Sequence, residues 1–405
     1  MKRFLEKYVA FVRQPDVPKL LLVALLSRMP VGMGGFALLM FLREELGDYA
    51  RAGTAVGFQL IALAAAAPIM GRIIDRYGGR IPLVVTGTIQ PLAMLALMWA
   101  TLSHLAYPVI LAFAALSGVF ATPITTLTRT AWRHRFPDEE NRRTAFALDA
   151  VMIEINFTIG PAIIAAILAT WNPTAAFATV IGFVVASVFI FFFSPALRYF
   201  KRAEPVERHM LGPLTEPRLL LVFVSTFGLT MAFGLIEVGY PAFGTSLAAP
   251  ALAGVLLSVN SIGSALGGAI FGGLHLKMRI ERQLATTMGL MSIPLLLHAI
   301  FQQPLAFGVV AFFCGVCIAP SIASQSVLVS RLAPAKYAAE AFTWSSCFIV
   351  SGLGAGMALG GLLVETTGLR SAFATGAVIV AAMSMLALQI TASSSPATPA
   401  TREAA

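Results

Sequence analysis

Charge is scarce in this chain. Of its 405 residues, 12% are Asp, Glu, Lys or Arg, where a soluble globular protein carries about 25%. With 58% of the residues hydrophobic, too little polar surface remains to cover a water-soluble fold, and that class is excluded. Cysteine is scarcer still. Cys314, Cys317 and Cys347 all lie inside apolar runs, which excludes a disulfide framework. Cys314 and Cys317 form a C-x-x-C, but further ligands are missing around it, so packing rather than metal or redox chemistry accounts for the pair. No nucleotide loop, metal cluster or nucleophile–base arrangement is present, and neither an enzyme nor a cofactor is expected. The net charge of +9 does not signal nucleic acid, because the basic residues are spread over short loops on one side.

What fills the chain is apolar runs of about 18 to 25 residues, each long enough for a bilayer core of about 30 Å. Backbone groups in lipid must bond internally, so these runs are expected to be helices. Twelve such spans are read, from 20–42 to 371–391. The first, Leu20 to Leu42, has the look of a signal peptide, but its length, its internal Arg28 and the spans that follow argue against cleavage. Alternate loops differ sharply in charge. One side holds Arg72, Arg76 and Arg80, Arg129 to Arg143, Arg198 to Arg218, Lys277 to Arg282, Arg331 and Lys336; the other holds Arg43, Arg51 and Arg370. The asymmetry predicts a plasma-membrane protein with both termini cytoplasmic. Residues 1–19 carry Phe4, Leu5, Tyr8, Val9 and Val12 at helical spacing among basic residues, as an interfacial helix would.

The longest loop is polar and contains proline. It divides the chain into residues 1–194, a cytoplasmic linker at 195–218, a second bundle at 219–391, and a disordered Ser/Thr/Ala/Pro tail at 392–405. An internal repeat supports the halving. Gly118-Val119 followed by Pro123 matches Gly315-Val316 followed by Pro320, and Ala175 to Ala178 matches Ser371 to Ala374. Gly57, Gly71 and Ala145-Phe146 match Gly254, Gly268 and Ala341-Phe342 at a near-constant offset. The expected fold is therefore all-α: twelve transmembrane helices in two pseudo-symmetric six-helix bundles, with a site between them at mid-depth.

Between spans 2 and 3 stands a charged island, Met70 to Leu83, with Gly71, Asp75, Arg76, Gly78 and Arg80 spaced as G-x-x-x-D-R-x-G-x-R. This resembles the signature loop of the major facilitator superfamily, at the place where that family carries it. The resemblance extends over about Leu20 to Ile390 and implies a secondary transporter working by alternating access. It also implies that spans 1, 4, 7 and 10 line the cavity and that spans 2, 5, 8 and 11 form the contact between halves. In that arrangement Asp75 would face the start of helix 11. A carboxylate there gains about 0.3–1 kcal/mol from the helix dipole, so it would act as a latch closing the inner side. Arg76 and Arg80 could bind carboxylates or lipid phosphates nearby.

Charges inside spans are few and costly, hence informative. Arg28 lies about 13 Å into span 1 and Glu154 about 15 Å into span 5. Their matched depth makes Glu154 the expected partner of Arg28, with Asp149 closer to the cytoplasm. Such a pair either holds helix 1 to helix 5, or exchanges its partner for a proton or substrate during the cycle. Glu237 in span 7 is flanked by Gly234, Gly239 and Pro241, which suggest a bent or broken helix near an outer vestibule. Ser258 and Ser261 on span 8, with Ser321, Ser324 and Gln325 on span 10, are polar positions for interhelical bonding or, on span 10, for the cavity. Gly160-Pro161 in span 5 partly resembles the family's antiporter signature, lacking its downstream glycines. Small-residue faces at Gly352, Gly356 and Gly360 and at Gly263 and Gly267 are expected at the contact between halves.

Together these observations favour a monomeric exporter exchanging a small amphipathic compound for protons, in contact with membrane lipids. The alternative is an importer or facilitator of a sugar or anionic metabolite, with Arg28 as the substrate's counter-ion.

Overall fold

The computed structural model describes residues 10–199, 212–274, 276–334 and 338–390, apart from the side chains of Asp75, Arg143, Ala338 and Ala339. The sequence reading of residues 1–9, the middle half of the linker at 200–211 and the tail falls outside the described residues. Among the described residues, twelve helices are long and apolar enough to cross a membrane. They are α1 (Val17–Ser27 and Met29–Leu46), α2 (Tyr49–Tyr77), α3 (Arg80–Leu102), α4 (Tyr107–Val119 and Ile124–Arg135), α5 (Glu139–Thr170) and α6 (Pro173–Phe192). The second half holds α7 (Pro217–Ser246), α8 (Ala251–Gly273), α9 (Ile280–Ile300), α10 (Pro304–Val316 and Ile318–Leu332), α11 (Ala338–Thr366) and α12 (Leu369–Ala387). Among the described residues there is no strand. The helices alternate in direction. The near end of the bundle is where α1 begins and α6 finishes; the far end is where α1 gives way to α2.

Helix boundaries extend past the apolar runs because capping, not hydropathy, ends a helix. α1 continues through Arg43, Glu44 and Glu45 to a left-handed Gly47, and Asp48 caps α2 by accepting from the Arg51 N–H at 2.6 Å. Asp138 and Asn172 cap α5 and α6 in the same way. Gly78 ends α2 with φ of 78°, a conformation that strains any residue bearing a Cβ, and its N–H bonds to the Ile74 carbonyl.

The repeat has a structural meaning. A Cβ at Gly118 of α4 would fall inside the carbonyl oxygen of Gln59 on α2, and one at Gly315 of α10 inside that of Asn260 on α8. Just beyond each glycine the helix is interrupted, before Pro123 in α4 and at Cys317 in α10, where Pro320 follows in the first turn. The same motif thus makes the same close crossing and the same break in both halves. α7 differs from expectation. It runs unbroken through Pro241, and its glycines serve packing: Gly234 meets the backbone of α11, and Gly239 the Phe373 ring of α12.

Candidate functional site

The interruption of α1 falls on Arg28. Pro30 has no N–H and disfavours helical geometry in the residue before it, so the first helix stops at Ser27 and the second begins at Met29. Arg28, with φ of −100° and ψ of −2°, is the joint. Its guanidinium Nη1 donates to Asp149 Oδ1 at 2.6 Å, with both side chains 1% exposed, and Nη2 reaches the Thr125 carbonyl at 3.4 Å. Two more groups from α4 converge on the same carboxylate. Trp132 Nε1 donates to Oδ1 at 3.3 Å, and Arg129 Nε to Oδ2 at 3.4 Å. Arg129 is 55% exposed. The site is thus one carboxylate held by three donors from two helices. With two guanidinium groups against one carboxylate, it carries a net positive charge.

Arg28 therefore pairs with Asp149 and not with Glu154, as depth alone had suggested. Two physical reasons explain the difference. α5 begins at Glu139, earlier than its apolar run, so Asp149 lies ten residues from the near end and Arg28 eleven, about 15 Å in each case. The rotation about the α5 axis also decides. Asn156 and Gly160 turn toward Gly32 of α1, the face that Asp149 shares. Glu154 lies five residues from Asp149, about 140° round the helix at 100° per residue.

That rotation puts Glu154 on the face meeting the other half. The Phe157 carbonyl accepts from Ser261 Oγ of α8 at 2.9 Å and the Thr158 carbonyl from Ser258 Oγ at 2.8 Å. The Pro161 carbonyl abuts Gly254. Pro161 has no N–H to give the Phe157 carbonyl four residues back, so the serine of the opposite half satisfies it. Gly160 meanwhile lets α5 approach the backbone of Gly32. The Gly-Pro step leaves α5 continuous and serves two neighbours at once. Glu154, one turn nearer the near end on this face, stands opposite Ala265 by register. It is partly exposed and makes no ion pair among the described residues. Replacing Ser261 with alanine is expected to weaken this seam, seen as faster labelling of a cysteine at Thr158; unchanged labelling would assign the bond no part in holding the halves.

The Glu237 side chain is likewise partly exposed, and among the described residues it makes no hydrogen bond or ion pair. It lies nine residues from the far end of α7, about 14 Å. Ser321, Ser324 and Gln325 are fully buried and line no open space in this conformation. Ser321 donates to Thr287 of α9 at 2.9 Å and Gln325 to Ser345 of α11 at 2.7 Å. Around the charged island, a Cβ at Gly71 would meet nothing within 4 Å. The exposed guanidiniums of Arg76 and Arg80 lie 5.3 Å and 4.9 Å from the rings of Tyr77 and Phe192, and the Asp75 side chain is outside the described residues. The glycine faces also differ from expectation. Gly352, Gly356 and Gly360 pack on α7 and Gly263 and Gly267 on α10, each inside its own half, while the seam between α2 and α11 uses Gly53, Gly57, Gly354 and Gly361.

The sequence reading missed Arg129 and Trp132. Arg129 reads as part of the near-end loop because the break in α4 hides how far its second helix reaches, and Trp132 carries no charge to single it out. Their spacing of three residues, on one helical face, was the available signal.

The family model described as Major Facilitator Superfamily matches residues 20–342 and 219–405. The chain belongs to the major facilitator superfamily. Among curated proteins, the multidrug resistance protein MdtG of Rahnella sp. is 26% identical over 213 residues, covering 49% of this chain and 52% of that protein. The match thus spans about half the length of that relative. Crystal structures of the nucleoside transporter NupG superpose with a TM-score of 0.73, and of a mutant form with 0.74, each at 13% identity. They cover 93% and 92% of this chain and 99% of theirs, which establishes the shared fold. This chain is a multi-pass membrane protein of a transporter superfamily.

Proposed function

We propose that this chain is a proton-coupled exporter of a small amphipathic compound, sited in the plasma membrane as a monomer with both termini cytoplasmic. The observation that carries the proposal is Glu154: a carboxylate without a counter-ion among the described residues, on the face of α5 that meets α8. Closing the near-end part of that seam would press it against Ala265 and its apolar neighbours. Burying an unpaired carboxylate costs several kcal/mol, and adding a proton removes most of that cost. Near-end closure and protonation are then linked, which is what exchange with protons requires. Glu237 is the candidate for a second protonatable group toward the far end. Export is supported by the similarity to the multidrug resistance protein MdtG and by the sparse polarity of the spans. The charge asymmetry of the loops supports the orientation, and with it the far end is the outer side.

The test uses proteoliposomes loaded with a pH-sensitive dye. Substrate-driven proton flux is expected in the parent and absent in Glu154→Gln; equal flux in both would remove Glu154 from coupling. The importer reading needs a cation free for an anionic substrate. Arg28 is committed to Asp149, whereas Arg129 is exposed. Loss of uptake in Arg129→Ala confined to anionic compounds would favour that reading instead. Asp75 is proposed as the inner latch on the start of α11. Asp75→Asn should raise near-end cysteine labelling in α4 and α10, and no change would defeat it.

A further inference from the structure

We propose that the far end carries a latch, made and broken in each transport cycle, in which Glu365 at the end of α11 holds the first N–H of α2 and Tyr49 is joined to Thr245 of α7.

The first turn of a helix has N–H groups without partners inside it. In α2 one of these, Arg51 N–H, goes to the Asp48 cap at 2.6 Å. Another, Tyr49 N–H, is given to the opposite half, to Glu365 Oε1 at 2.7 Å. The Tyr49 hydroxyl pairs with Thr245 Oγ1 at 2.7 Å. Tyr49 itself is 4% exposed, and the Arg43 guanidinium lies 5.5 Å from its ring centre. One residue of the first half thus bonds, through backbone and side chain, to two different helices of the second.

The surroundings explain why a latch is needed here. Toward the far end much of the α2–α11 seam is backbone against backbone: Gly361 against the Tyr49 carbonyl, Gly53 against that of Met357 and Gly57 against that of Gly354; farther along, Cys347 Sγ donates to the Ala64 carbonyl at 3.2 Å. The glycine contacts permit close approach and sliding but favour no single register. The Glu365 and Thr245 bonds are directional, and they can form only when the far end is shut. The carboxylate also faces the positive end of the α2 dipole, which strengthens the contact beyond a neutral hydrogen bond.

α2 and α11 run antiparallel, so at the far end the first turn of α2 meets the last turn of α11. Glu365 occupies on α11 the place that Asp75 occupies on α2. The two carboxylates then form a pair of alternative latches, one for each end of the same two helices. The proposal requires alternating access but no particular substrate, ion or direction, so it stands apart from the exporter reading.

The experiment measures the far end directly. Spin labels at Ser103→Cys and Gln303→Cys, both on exposed far-end loops in opposite halves, report their separation by double electron–electron resonance. They are placed in a background with Cys314 and Cys317 replaced by alanine and Cys347 by serine, whose hydroxyl can keep the bond that Cys347 makes to the Ala64 carbonyl. Glu365→Gln and Tyr49→Phe, each preserving side-chain size, are compared with the parent. The expected result is a rise of at least threefold in the long-distance population for each variant, at unchanged melting temperature. Unchanged distance distributions in both variants would overturn the latch, whatever happened to transport. So would a shift toward shorter distances. A matching shift in Thr245→Val, which removes the other side of the Tyr49 contact, would support it independently, even if export itself were never observed.

Discussion

Asp149→Asn is expected to be the most damaging conservative substitution in the chain. The amide keeps the size of the carboxylate but not its charge, and it leaves Arg28, 1% exposed, without a counter-ion. Breaking a buried pair by removing one partner costs about 3–5 kcal/mol, because a charge is left desolvated and unpaired. The expected loss is of that order in chemical denaturation of the purified protein, with transport lost as well. Arg129 does not rescue the variant. It is a second cation at the same spot and adds repulsion once the carboxylate is gone. Replacing both partners, as Arg28→Met with Asp149→Leu, is expected to restore most of the stability, since neither charge then remains buried. Transport in that double variant separates the two readings of the pair. Recovered transport marks the Arg28–Asp149 contact as a tie between α1 and α5, and restored folding without transport marks it as part of the cycle. If Asp149→Asn were as stable as the parent, the pair would not be a buried one and the account of α1 would be wrong.

Gly118→Ala and Gly315→Ala are expected to be nearly as severe, and equal to each other. At each, the added methyl would meet a backbone carbonyl, Gln59 in one half and Asn260 in the other. Backbone cannot swing aside as a side chain can, so the crossing helices must separate. Overpacking of this kind costs about 1–3 kcal/mol, and here a whole helix pair has to move. Gly182 of α6 is the control, because a Cβ there meets nothing within 4 Å. Gly182→Ala should be neutral or stabilising by up to about 1 kcal/mol through helix propensity. Melting temperatures of the three variants decide the matter. A tolerated Gly118→Ala beside a damaging Gly315→Ala would show that the two halves do not use the repeated motif alike.

Polar positions are less legible in the sequence than the repeat. The depth of each charge along its helix followed from counting residues, to within the uncertainty of the helix start. Its partner did not. Glu154 and Asp149 differ in depth by little more than a turn, yet one turns to the opposite half and the other to Arg28. The glycine faces show the same limit: Gly356 and Gly354 are two residues apart, and the first packs on α7 while the second packs on α2.

Some things the chain states by itself. Length and hydropathy set twelve crossings, because backbone in lipid must bond to itself and each crossing needs a minimum run. Loop charge bears on orientation, and the repeated Gly-Val motif with its following proline marks the crossing and break common to both halves. Rotation of each helix about its axis was left to the tertiary structure, and with it the partner of Arg28, the seam residues and the Tyr49–Glu365 contact. The reason is the solvent. In water a helix shows its buried face by the polarity of the other, but in a bilayer both faces are apolar, so only packing against neighbours fixes which way a side chain points.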